Sequence, residues 1–119
     1  MENKVIKQQI GGSHYKNMAF QPIELISQLK CSFAQGCIIK YVSRYKSKNG
    51  KQDIEKCMHY AQLAKALGGN WFCDNAVLII DFCAKNNLSK HQSAIIRHTV
   101  NCRWSMVVDE CRKIINEEF

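Results

Sequence analysis

The sequence predicts an all-α protein: a small bundle of about six helices behind an irregular N-terminal arm. Three observations carry that expectation. Apolar residues recur three and four apart through most of the chain, which is the spacing of one helical face. No stretch of useful length alternates apolar and polar residues as a half-buried strand would. Helix punctuation also falls where the periodic runs begin and end, with Pro22, Ser32, Ser89 and Ser105 at starts and Gly68-Gly69 at a stop.

Residues 1–19 read as the arm, because Gly11-Gly12-Ser13 breaks any helix there. Pro22 suits the first turn of a helix to about Leu29, with Ile23, Ile26 and Leu29 on one face. Ser32 caps a second helix over about 33–47, in which Phe33, Cys37, Tyr41 and Tyr45 form an apolar stripe expected in the core, flanked by Ile38 and Val42. Asn49-Gly50 closes a turn, and Gln52 or Asp53 opens a third helix with Ile54, Met58, Ala61 and Ala64 inward. A fourth helix over about 71–85 carries Trp71, Phe72, Leu78, Ile79, Phe82 and Cys83 nearly all round. Such a helix belongs at the centre or at a subunit contact, so a homo-oligomer is expected. Ser89 with Gln92 is a capping box opening a helix to about Val100. Ser105 then caps a last helix to about Asn116, with Val107, Val108, Cys111, Ile114 and Ile115 buried.

The 119 residues suffice for one domain with a small core. It divides into the arm (1–19), a basic half (20–69) and a neutral three-helix half (70–119). Eleven Lys/Arg stand against four Asp/Glu in residues 1–69, and six against six in 70–119, so the net charge of +7 belongs to the first half. That asymmetry points to an anionic partner: nucleotide, nucleic acid or anionic membrane. No apolar run reaches the length of a membrane span, and none at the N-terminus resembles a signal peptide. Seven scattered cysteines without CxxC spacing then read as reduced cytosolic thiols rather than metal ligands or disulfides. No metal or cofactor is expected.

The basic half centres on Gly36 to Lys56, GCIIKYVSRYKSKNGKQDIEK. Gly36, Lys40 and Arg44 are four apart, giving one helical face a bare backbone spot and two cations, an arrangement that suits a phosphate-bearing ligand. The same spacing also describes a helix-packing glycine below a solvated charged face. Asp53 could pair with Arg44 or Lys56, either to orient a cation or as an idle surface pair. There is no GxxxxGK[ST] loop, GxGxxG, HExxH or GxSxG, and the four histidines are dispersed. Plentiful cations with few candidate bases favour binding an anion over hydrolysing one.

GSHYKNMAFQPIELI followed by CSFAQGCIIKYVSRYKSKNGKQDIEKCMHYAQLA resembles the phage-encoded domain-of-unknown-function family numbered 3310. The matching residues are His14, Tyr15, Lys16, Gln21, Pro22, Gly36, Lys40, Tyr41, Arg44, Lys48, Asp53, Lys56 and Tyr60, spanning about 14–66. Ile54 and Cys57 depart from the leucine and alanine usual in that family. The resemblance implies a phage protein in the cytoplasm of the infected bacterial host. One member is a deoxynucleoside monophosphate kinase, so the resemblance supports a nucleotide-sized phosphate ligand. Three functions are weighed on that footing. The first is a non-catalytic binder that sequesters a cyclic or ADP-ribose-type nucleotide immune signal, an anti-defence sponge. In it Lys40, Arg44 and Lys48 grip phosphates while His14, Tyr15 and Tyr41 hold base and ribose. The second is a nucleotide kinase in which Asp53 orients an acceptor or a metal. The third is a nucleic-acid-binding helical protein, disfavoured by the neutral second half.

Overall fold

A computed structural model describes residues 4–13, 15 and 17–119. Seven α-helices and no strand occur among them. They are α1 (Lys4–Lys7), α2 (Pro22–Leu29), α3 (Phe33–Arg44), α4 (Lys51–Leu67), α5 (Ala76–Lys85), α6 (Lys90–Val100) and α7 (Trp104–Glu118), with a 3-10 turn at Tyr45–Ser47 after α3. No helix of the described residues is long and apolar enough to cross a membrane.

Four helices enclose the core in a closed circuit: α3 packs on α4 and α6, and α7 packs on α4 and α6. Ile38, Ile39 and Val42 of α3 meet Ile54, Cys57 and Ala61 of α4, Ile95 and Ile96 of α6, and Val107, Cys111 and Ile114 of α7, all fully buried. Alanines at 61 and 64 keep α4 narrow on its inner side, whereas Ala66 faces out. The shorter α2 lies on α3, and α5 on α6 and α2.

Local sequence signals fix most helix starts. Ser32 and Ser89 accept the backbone N–H of Gln35 and Gln92, and each glutamine side chain accepts the serine N–H in return. Glu24 likewise accepts the Gln21 N–H at 2.8 Å, ahead of Pro22.

The structure corrects several sequence expectations. The arm contains the single turn α1. Along α3 and the 3-10 turn after it the buried apolar residues are Ile38, Ile39, Val42 and Tyr45, while Phe33 is 78% exposed and Cys37 and Tyr41 are half-buried. An i, i+4 stripe advances about 40° round the helix at each step, so four members cannot all face one core. In α2 the buried residues are Pro22, Leu25 and Leu29, and Ile23 is exposed, because the i, i+3 spacing of Ile23, Ile26 and Leu29 turns back about 60° at each step. In α4 Cys57, rather than Met58, faces inward.

The fourth predicted helix starts five residues late. Residues 70–75 run without helix because Asn75 caps α5 at the Leu78 N–H, Cys73 N–H bonds to Val100 O, and Trp71 Nε1 bonds to Lys30 O. That helix is peripheral: Ile79 and Phe82 are buried, but Trp71, Phe72, Val77 and Ile80 are exposed. The last helix begins at Trp104, whose side chain joins the core, and Ile115 is only half-buried. Ser105 therefore lies inside the helix, and its hydroxyl meets Lys65 Nζ at 3.0 Å instead of capping.

Candidate functional site

Arg44 ends α3 and Asp53 sits in the first turn of α4, so the 45–50 turn folds their side chains together. Arg44 Nε donates to Asp53 Oδ2 and Nη2 to Oδ1, both at 3.2 Å, a two-pronged pair. The Asn49 N–H donates to Oδ2 at 3.3 Å, and Asp53 is completely buried. Arg44 Nη1 reaches the Tyr15 hydroxyl at 3.1 Å. Burial works against the charge on Arg44, but the bonds to Asp53 and Tyr15 outweigh it and raise its pKa. Burial also raises the Tyr15 phenol, against the bond from Arg44.

Three cations gather round one ring. Lys40 Nζ lies 4.7 Å, Arg44 Cζ 4.8 Å and Lys56 Nζ 5.0 Å from the Tyr41 centroid. Each contact is worth about 0.5–1 kcal/mol where exposed. Tyr60 stacks nearly parallel to Tyr41 at 6.0 Å and 20°, and Phe33 meets Tyr60 edge-on at 6.0 Å. Among the described residues neither Lys40 nor Lys56 is ion-paired with a carboxylate, so the cluster keeps an excess of positive charge.

Beside the cluster is a cavity of 520 Å³, within the usual range for small-molecule sites. The arm supplies Val5, Gln8, Gln9 and Ile10, α2 supplies Pro22, Ile23 and Ile26, and Tyr15, Gln21 and Lys40 complete the wall. Gln21 Nε2 donates to Ile6 O at 2.7 Å and the Tyr15 N–H to Gln9 Oε1 at 2.8 Å, so buried Gln21 ties the arm to α2. The space is apolar with one cation at its edge, and Tyr15 links it to Arg44.

Tyr15, Gln21 and Lys40 of the predicted site line the cavity; Tyr41, Arg44, Asp53 and Lys56 form the adjoining cluster. Gly36 touches neither as a bare backbone spot. A Cβ built there would come within 3.2 Å of Ile26 Cγ2, so this glycine lets α2 approach α3. Lys48 is exposed in the turn and does not line the cavity. His14 and Lys16 lie outside the described residues. Sequence reasoning missed Tyr60, although it stands in the family pattern, and the arm residues Val5 and Ile10, whose apolar side chains in a polar segment were the available signal.

The fold and site together define an all-α protein with a cationic, aromatic cluster beside an apolar cavity. Residues 10–62 match the family model described as a protein of unknown function (DUF3310), which supports that family assignment for this stretch. The match covers the arm from Ile10 onward, α2, α3 and most of α4, and therefore every residue of the cavity and cluster except Val5, Gln8 and Gln9. No curated protein and no solved structure matches the chain.

Proposed function

We propose that the chain binds a small phosphorylated nucleotide and holds it without turning it over, as a sponge for a cyclic or ADP-ribose-type nucleotide signal. The observation that carries this reading is Lys40, a cation with no carboxylate partner among the described residues, at the edge of a 520 Å³ apolar cavity beside Tyr15 and the Arg44 guanidinium. The base and ribose occupy the apolar space against Pro22, Ile23 and Ile26, and a phosphate takes Lys40. On this reading the activity belongs in the cytoplasm of an infected bacterial host. Self-association through the exposed α5 face belongs to the same reading.

Sequestration is favoured over phosphoryl transfer by the state of Asp53. Its two oxygens are taken by Arg44 and the Asn49 N–H, and it is sealed from solvent, so it is not placed to hold a metal or an acceptor hydroxyl. Calorimetric titration with ADP-ribose, a cyclic dinucleotide and dTMP tests the proposal. One of these binds, and Lys40→Ala weakens it about ten- to a hundredfold, the loss expected for one charged hydrogen bond. Absence of binding to all three overturns it. Diphosphate formed from dTMP or dGMP with ATP replaces it with the kinase.

A further inference from the structure

The second half of the chain is an image of the first. Adding 57 to the residue number carries Ser32, Gln35, Ile38 and Ile39 onto Ser89, Gln92, Ile95 and Ile96, identical each time, and Lys40 onto Arg97. The backbone follows. Both serines cap their helices through the same box. Two residues earlier the chain turns left-handed, at Lys30 with φ 56° and at Asn87 with φ 52°. The next residue bonds back five positions in each half, Cys31 N–H to Ile26 O at 3.1 Å and Leu88 N–H to Cys83 O at 3.0 Å.

The two capping glutamines also reach across the molecule reciprocally. Gln35 Nε2 donates to Thr99 O at 3.2 Å, and Gln92 Nε2 donates to Val42 O at 2.8 Å. Adding 57 to Val42 gives Thr99, so each bond is the counterpart of the other. The same shift carries α2 to 79–86 and α3 to 90–101, close to the spans of α5 and α6, and the reciprocal bonds are those that a local two-fold relation between α3 and α6 would give.

The cavity has an image as well. Pro22, Ile23, Ile26 and Lys40 correspond to Ile79, Ile80, Cys83 and Arg97, and these four line a second groove of 340 Å³. Its cation is already engaged. Arg97 Nη2 and Asn101 Nδ2 both donate to Asp74 Oδ2, each at 3.0 Å. Asn101 is the image of Arg44, so the two positions that carry Lys40 and Arg44 in the first half close on a carboxylate in the second. Among the described residues Arg97 Nε is buried without a hydrogen-bond partner, a donor still lacking an acceptor.

We propose that the groove at Arg97 and Asn101 is a second copy of the ligand site, in which the chain's own Asp74 carboxylate stands where the ligand's phosphate-type oxyanion would bind. The identity of that oxyanion rests on the function proposed for the Lys40 cavity. Removing Asp74 frees Arg97 and Asn101 and opens a second anion site on the same chain.

The test uses the full chain and its Asp74→Ala variant, each titrated with ADP and separately with pyrophosphate. NMR follows the Arg97 Nε–H and the Asn101 side-chain amide. In the unaltered chain these signals stay still. In Asp74→Ala they shift saturably, with a second equivalent of ADP bound, and adding Arg97→Ala abolishes the shift. Pyrophosphate shifting the same signals as strongly as ADP means that the oxyanion alone is recognised, which also supports the site. Should Asp74→Ala not fold, Asp74→Asn keeps the size and removes the charge. A folded variant whose Arg97 and Asn101 signals ignore both probes overturns the proposal, whatever the Lys40 cavity does. Gain at Arg97 with no binding at Lys40 upholds the duplicated site and sinks the proposed function instead.

Discussion

The pair of Arg44 and Asp53 joins α3, α4 and the turn between them, and it is nearly dry. Removing one partner leaves the other charge buried, which costs about 3–5 kcal/mol. Asp53→Ala is therefore expected to lower urea stability by that amount, whereas Asp53→Leu with Arg44→Met recovers most of it. The sequence displays both residues in its family pattern, but a nine-residue separation across a turn does not say whether two charges face each other or water. Gly36 shows the same limit, since spacing alone describes a ligand contact and a helix contact equally well. His91 lies wholly outside that pattern. Its Nδ1 and Nε2 meet Glu110 and Glu117 at 2.8 and 2.9 Å, tying α6 to α7. The bonds to Glu110 and then Glu117 raise the His91 pKa above 6.5, and Glu110 is lowered below 4.5 by its bonds to His91 and Lys113 against an opposing burial effect. A raised histidine stabilises the fold below its unfolded pKa and loses that contribution as pH rises through the folded one. A lowered glutamate contributes above its unfolded pKa and fails as pH falls through the folded value. The clasp is thus strongest between about pH 5 and 6.5. Melting temperature is expected to fall from pH 6 to pH 8.5, and His91→Gln to flatten that slope.

At the scale of elements, what is local is legible. Capping signals at Ser32 and Ser89 mark helix starts because serine and glutamine act on backbone within one turn. Which face of a helix is buried is less so, because it depends on where neighbouring helices lie. Phe33 and Ile23 are large and apolar yet exposed. The start of α5 was hidden for a related reason: Trp71 is held outside a helix by bonds to Lys30 and Gln35, partners more than thirty residues away in sequence. The buried glutamines connect the two levels, serving their own cap and a carbonyl across the core. Gln92→Ala is expected to cost about 1–3 kcal/mol, because Val42 O loses its donor in a dry interior. Ser89→Ala removes only the cap and costs about 1 kcal/mol. Chemical denaturation of the two variants distinguishes these values.

At the scale of the whole molecule, the cationic cluster lies in the half to which the sequence assigns the net charge, while the cavity depends on the arm folding back over α2, for which apolar Val5 and Ile10 in a polar segment are the one local signal. The exposed apolar face of α5, with Val77 and Ile80, gives a further expectation. Light scattering at micromolar concentration should find an oligomer, and Val77→Asp, outside the groove at Arg97, should shift it toward monomer while leaving the circular dichroism unchanged. A feature at the C-terminal end of α7 reaches back to the turn beside the candidate site. The buried Tyr45 hydroxyl donates to the Glu118 carboxylate at 2.8 Å, and the Phe119 ring packs beside Tyr45 and against the turn glycine, Gly50. Replacing Glu118 and Phe119 by alanine would leave the cavity walls intact yet unlatch the bend that aims Arg44. On the function proposed above, affinity for a nucleotide would then fall although neither replaced residue lines the cavity.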